Sequence, residues 1–163
     1  MIPTGTLEDD GQTLALTRRF AAPIDDVWAC LTESDRLGRW FGTFTGDPST
    51  GWVMVTINAE AEPMAPSRYD IVACEPPNLL AVRAVDDAGA WSLRTTLEEL
   101  DGVTTLAFRH ERINADEIGA VAVGWEWYLD RLHAAVLGGT PPSLDDFESA
   151  YMPAMETYAA TLR

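Results

Sequence analysis

Lysine is absent from this chain of 163 residues, and cysteine and histidine occur only twice each. All 11 cationic side chains are arginine, set against 26 acidic ones, for a formal net charge of −15. Such a field repels phosphate backbones and anionic headgroups, so neither nucleic acid nor a membrane surface is an expected partner. No apolar run reaches the roughly 18 residues of a membrane span, and no basic-then-apolar leader opens the sequence, which together point to a cytoplasmic protein. Cys30 and Cys74 form no C-x-x-C and have no histidine near them in sequence, so zinc and dithiol chemistry lack their minimum ligands and two buried, reduced thiols are expected. Gly-rich phosphate loops, H-E-x-x-H, G-x-S-x-G and kinase signatures are missing too, which removes the usual anchors of nucleotide, zinc-protease and esterase chemistry. No cofactor or metal is implied.

What is present is an ordinary globular composition, 47% hydrophobic and 23% charged, sized for one core. Residues 1–12 read as a polar leader. Residues 13–20 then alternate Leu14 and Leu16 against Thr13 and Thr17, a half-buried strand. Pro23, Asp25 and Asp26 suit a first helical turn, and Ile24, Val27, Trp28 and Leu31 recur on one face of a helix over 23–32. Ser34 or Asp35 can cap a second, short helix running to Phe41 and stopped by Gly42.

From residue 42 to 112 short apolar stretches are punctuated by turn residues at 47–48, 51, 63–66, 76–78, 86–89 and 101–102. Strands are expected near 42–45, 52–59, 68–74, 79–85, 91–100 and 103–112, as a meander. Asp101-Gly102 between two alternating runs is its strongest hairpin signal, because a primed turn needs positive φ. In the last strand Thr104, Leu106, Phe108 and His110 share one face, and in its partner Trp91, Leu93, Thr95 and Leu97 do. Arg94 and Arg109 on the opposite face are expected to pair with Glu98 and Glu111.

That apolar face needs a cover. Asn114 or Asp116 can cap a helix to Leu137, closed by Gly138-Gly139 and Pro141-Pro142; its roughly 22 residues span about 33 Å. Ile118, Val121, Trp125, Tyr128, Leu129, Leu132 and Val136 form its apolar stripe, while Glu126, Asp130 and Arg131 are expected to look outward. Asp130 and His133 have the spacing of a carboxylate-bridged metal site, but one copy is too few and a solvated face explains them. A last helix from about 143 to 162 carries Leu144, Phe147, Tyr151, Met155 and Tyr158, with an interruption at Pro153. The chain thus divides into a leader (1–12), a main domain (13–138) and a helical appendix on the same domain (139–163).

Several stretches carry a resemblance. Arg19-Phe20-Ala21-Ala22-Pro23-Ile24-Asp25-Asp26-Val27-Trp28, Asp35-Arg36-Leu37-Gly38-Arg39-Trp40-Phe41, Thr105 to Glu111 in the last strand and Gly124-Trp125-Glu126-Trp127-Tyr128-Leu129 in the long helix resemble the SRPBCC (START-like, birch-pollen-allergen-like) superfamily. Within it the chain is most similar to the group named after the activator of the heat-shock protein ATPase. The resemblance implies an α+β helix-grip fold: a curved antiparallel sheet of six to seven strands over a long C-terminal helix, with two short helices after the first strand. It also implies a cavity between sheet and long helix that in relatives holds apolar or aromatic small molecules, though relatives differ too widely to fix one activity.

Aromatic residues are the other loud feature, with six tryptophans. Trp40, Phe41, Trp91, Trp125 and Tyr128, with Leu93, Phe108, His110 and Leu132, are the candidate ligand-binding residues, although the same rings could fill the space instead. His110 could orient a ligand or act as acid/base, with Tyr128 as a donor; the plainer alternative is a core histidine satisfied by backbone, Glu111 or Tyr128. The leading expectation is binding or carriage of a small apolar or aromatic molecule. A cyclase, dehydratase or hydrolase using the same cavity is the alternative, as is an interaction or chaperone-regulating module that dimerises through exposed aromatics of the final helix.

Overall fold

The computed structural model describes residues 1–62, 64–86 and 89–162. Pro63, in the turn expected at 63–66, Asp87 and Ala88, in the turn expected at 86–89, and Arg163 lie outside the described residues.

Eight strands form one antiparallel sheet: β1 (Thr6–Glu8), β2 (Thr13–Phe20), β3 (Gly42–Thr45), β4 (Trp52–Ile57), β5 (Ser67–Glu75), β6 (Leu79–Asp86), β7 (Gly89–Leu100) and β8 (Val103–Glu111). Their spatial order is β1-β2-β8-β7-β6-β5-β4-β3. The meander expected from β3 to β8 is present, and β2 returns to pair along its whole length with β8, from Thr13 opposite Glu111 to Phe20 opposite Thr104. The sheet exceeds the expected six to seven strands because the polar segment before β2 folds back on it as edge strand β1, with Leu7 opposite Leu14. So short a strand has no periodicity of its own to read.

Helices α1 (Ile24–Thr32) and α2 (Ser34–Leu37) carry the chain from the β2 side of the sheet to its far edge at β3. Ser34 does not cap α2 as expected; its hydroxyl donates to the Phe44 carbonyl at 2.9 Å and accepts from the Phe44 amide, tying α2 to β3. Gly42 starts β3 at a backbone crossing so close that a Cβ would stand 2.3 Å from the Thr56 carbonyl oxygen. The β7–β8 hairpin turns at Asp101 (φ 52°) and Gly102 (φ 75°), the paired positive angles that a primed turn requires.

The long helix α3 (Ile118–Leu137) has 20 residues, about 30 Å. It begins later than expected, and Asn114 caps nothing: its side chain accepts from the Asp116 amide in the turn before the helix. One side of α3 packs Trp125, Leu129 and Leu132 toward the sheet, joining Leu16, Phe20, Leu97, Leu106 and Phe108 in the core. The other side is covered as well. After Gly138 the chain turns back as a helical segment over 144–161, passing through α-helical, π and 3-10 turns as α4 (Leu144–Asp146), Phe147–Tyr151, Met152–Ala154 and α5 (Met155–Thr161). Ser143 caps its start reciprocally with Asp146. The Trp127 ring packs against Phe147 at a tilt of 58° with centroids 5.4 Å apart, and its Nε1–H donates to the Ser143 carbonyl at 3.0 Å. Tyr151 and Tyr158, which the alternative of a dimerising final helix would expose, are buried and donate to carboxylates of α3.

This second cover corrects the reading of the outward face of α3. Glu126 is 1% exposed. Its carboxylate accepts from the Thr4 amide and hydroxyl, from Arg18 and from Tyr158. Arg18 also reaches Asp130 at 2.9 Å, and Tyr151 donates to Asp130 at 2.7 Å. Burial pushes the Glu126 carboxyl upward, but the hydrogen bonds from Tyr158, Arg18 and Thr4 outweigh it and hold the group below the usual range. Arg131 is not a free surface cation: its guanidinium lies 4.7 Å from the Trp127 ring centroid and donates to the carbonyls of Trp40 and Pro142. His133 packs on Phe20, with centroids 5.4 Å apart. A helix sandwiched between a sheet and a C-terminal strap shows only one of its two buried faces as an apolar stripe.

The outer sheet face needs a second correction. Arg94 pairs with Glu111 at 3.1 Å, not with Glu98, and Arg109 pairs with Glu8 at 2.7 Å, not with Glu111. Register sets Arg94 directly opposite Arg109, so each guanidinium takes a carboxylate from farther along or across. Glu8 is available because β1 joins the sheet.

Candidate functional site

The inner face of the sheet and the inner face of α3 do not meet everywhere. Along β8 the even residues Thr104, Leu106, Phe108 and His110 are buried, and β7 places Leu97, Thr95 and Leu93 directly opposite the last three. On the other half of the sheet Val53, Val55 and Tyr69 continue that surface, with Leu80 and Val82 from β6. A register shift between Ile71 and Ala73 inserts an extra residue in β5, so Ile71 faces Val82 and Cys74 faces Leu80. Cys74 is consequently exposed at the rim of the inner surface, contrary to the expectation of two buried thiols. Cys30 is buried as expected, and burial pushes its thiol upward.

Two adjoining chambers remain between these surfaces. The first, about 180 Å³, lies between α1–α2, the β4–β7 half of the sheet and the Trp125 and Leu129 side chains of α3. Its lining is apolar and aromatic apart from the hydroxyls of Thr32, Tyr69 and Thr95 and the Cys74 thiol. The second, about 330 Å³, opens between the start of α3 and the loop after β4, and is lined by Ala120, Gly124 and Tyr128 of α3 with Trp91, Met64 and Glu60. Phe41, Tyr69, Leu93 and Trp125 line both, so they form the partition. Within it the Phe41 and Trp125 rings are near-parallel at 17°, with centroids 6.2 Å apart. A cavity of roughly 150 Å³ with apolar walls is already large enough for benzene. The aromatic rings therefore divide the space without filling it.

Of the candidate ligand-binding residues, Trp40, Phe41, Leu93, Phe108 and Trp125 line the first chamber, and Phe41, Trp91, Leu93, Trp125 and Tyr128 the second. Trp40 donates its indole N–H to the Cys30 carbonyl at 2.8 Å and so also anchors α1. His110 and Leu132 are not among the lining residues. Leu132 is fully buried in the core. His110 sits behind the partition, 4% exposed, accepting at Nδ1 from the Trp125 indole N–H at 3.1 Å with the Trp91 ring centroid 5.0 Å away. Its partner is thus neither backbone, Glu111 nor Tyr128. Burial pulls its pKa down to about 4, so at neutral pH the ring is uncharged and carries its proton on Nε2.

Tyr128 donates its hydroxyl to the Glu60 carboxylate. Burial and then that carboxylate push its pKa far above the ordinary tyrosine value. A neutral, indole-bonded imidazole and a carboxylate-bonded phenol hold the partition in place; neither is poised to move protons at neutral pH. Glu60 gave no sequence signal, since a glutamate in an Ala- and Pro-rich loop reads as solvated surface. Val53, Val55 and Tyr69 could have been found from the alternation in β4 and β5. Among the described residues no group of three or more His, Cys, Asp or Glu side chains is placed to hold a metal ion, and no helix is long and apolar enough to cross a membrane.

A bowed antiparallel sheet gripping a long helix over an apolar interior defines a helix-grip protein of the SRPBCC superfamily. The chain belongs, within it, to the family described as Activator of Hsp90 ATPase homolog 1-like protein, which matches residues 21–137. Among solved structures it is similar to CalU16 from Micromonospora echinospora, at 27% identity and TM-score 0.75, covering 93% of this chain and 88% of that one. It also shares its fold with the BPP1335 protein of Bordetella parapertussis (23% identity, TM-score 0.76, 98% and 91% covered). A third fold match is DynU16, from the dynemicin biosynthetic locus (22% identity, TM-score 0.67, 82% and 49% covered). No curated protein sequence matches it significantly.

Proposed function

We propose that this protein binds or carries a small apolar or aromatic molecule in the two chambers between sheet and α3. The observation that carries this reading is the unfilled, almost wholly apolar space of about 180 Å³ beside a second of about 330 Å³, parted by stacked rings. Emptying such a space of water and filling it with an apolar body is favourable at about 25 cal/mol per Å² of surface removed from water. The state of the two former acid/base candidates favours binding over turnover: His110 is uncharged and held by Trp125, and Tyr128 is held by Glu60.

Titration with the neutral fluorophore N-phenyl-1-naphthylamine tests this, read as quenching of tryptophan emission, because Trp91 and Trp125 stand at the chambers. Saturable 1:1 quenching is expected. A Cβ at Gly124 meets nothing within 4 Å, and Cys74 is exposed at the rim, so both positions accept larger side chains without strain on the core. The double variant Gly124→Phe/Cys74→Trp should remain folded and bind at least tenfold more weakly. Unsaturable quenching in the wild type, or unchanged affinity in the double variant, would remove the reading.

A further inference from the structure

The second chamber differs from the first in kind. Besides the phenols of Tyr69 and Tyr128, its lining contains one ionisable side chain, the Glu60 carboxylate, set at an opening that the Trp91, Trp125 and Tyr128 rings help to wall. Glu60 is exposed, and Tyr128 donates to one of its oxygens, Oε1, which fixes the carboxylate toward the cavity while leaving acceptor capacity on both oxygens. Arg131 attracts the Glu60 carboxylate from outside the chamber, but its guanidinium donates to the carbonyls of Trp40 and Pro142 over the Trp127 ring, and it does not line the chamber. A carboxylate beside aromatic faces in a partly dry recess is the arrangement that recognises an ammonium group, through a charge-assisted hydrogen bond and the negative faces of the rings. An anionic head would meet Glu60 head-on, without a lining cation to offset it.

Resting on the binding reading above, we infer that the second chamber is a recognition site for a protonated amine, so that the ligand class is an apolar or aromatic body bearing a cationic nitrogen. Gly124 is what makes room for it: any larger side chain on that turn of α3 would project into the opening.

Isothermal titration calorimetry with a matched series tests the inference: 4-phenylbutylamine, 4-phenylbutanol and 4-phenylbutyrate, at pH 7 and about 0.15 M salt, against wild type and Glu60→Gln. The wild type should bind the amine about tenfold or more tightly than the alcohol, with the carboxylate weakest. The net charge of −15 attracts any cation, so the variant carries the decision. In Glu60→Gln, whose position is exposed and whose amide still accepts from Tyr128, the amine preference should fall to within about twofold of the alcohol. A preference that persists in Glu60→Gln would assign it to the general field and overturn the amine site. Equal wild-type affinities for amine and alcohol would overturn it too while leaving the apolar cavity intact. Absence of binding by all three compounds would overturn both.

Discussion

His110 carries an ionisable ring into the apolar side of the sheet, and its neutrality is a condition of the fold. The Trp125 N–H points at Nδ1; a proton there would set two donors against each other in a site from which water is largely excluded. With a folded pKa of about 4 against an unfolded value near 6.5, the unfolded chain binds a proton that the folded one does not as pH falls between those values. Stability contributed by the neutral ring is therefore fully present above about pH 6.5 and is lost as pH falls, by up to about 3 kcal/mol at pH 4. His110→Asn keeps an acceptor near the Nδ1 position but cannot take up this proton. Chemical denaturation at a series of pH values should show a shallower decline for the variant than for wild type between pH 6.5 and 4.5; parallel curves would mean that His110 titrates normally. Strand alternation in the sequence was enough to put this ring on the apolar face. Its partner was not legible, because the Trp125–His110 contact depends on how α3 rotates over the sheet, which no local pattern encodes.

At the scale of the elements, α3 is clamped from both sides, and the clamp is where the sequence reading went astray. Three-and-four spacing marks the stripe that faces the sheet, and a charge on the opposite side ordinarily means water. Here that side is roofed by the helical segment over 144–161 and by the first residues of the chain. Glu126 therefore pairs with Arg18, whose side chain is 11% exposed, inside a network that also takes Thr4, Tyr158, Asp130 and Tyr151. Glu126→Gln would leave the Arg18 guanidinium without its buried counter-ion. A loss of about 3 kcal/mol is expected in urea unfolding. Glu111→Gln, which breaks the half-exposed Arg94 pair at 38% exposure on each side, should cost less than about 1 kcal/mol. Comparable small costs for both would mean that the strap does not exclude water from α3. By contrast, the stop of α3 at Gly138, the Asp101-Gly102 hairpin and the meander were legible because each is written in adjacent residues. The β1 pairing and the β5 bulge were not, since each is decided by a partner strand.

For the molecule as a whole, the arrangement follows from one mismatch. The sheet is wide and bowed, α3 crosses it once, and the side chains at the crossing are too few to fill the half formed by β4 to β7. Large rings brace the gap, so the interior is held open by stacked aromatics tied down at their polar tips: Trp40 to Cys30, Trp125 to His110 and Tyr128 to Glu60. The sequence announced the rings but left open whether they pack a core or wall a cavity, because composition gives the volume of the side chains and not the volume between the elements.

The most direct measurement is a crystal structure of the wild-type protein with N-phenyl-1-naphthylamine bound. The account expects density for the probe between α3 and the inner face of β4–β7, in contact with Trp125 and Leu93, with His110 and Trp40 unmoved. Probe density confined to the outer surface, at exposed apolar side chains such as Val72 or Val85, with both chambers collapsed around Trp125, would contradict it.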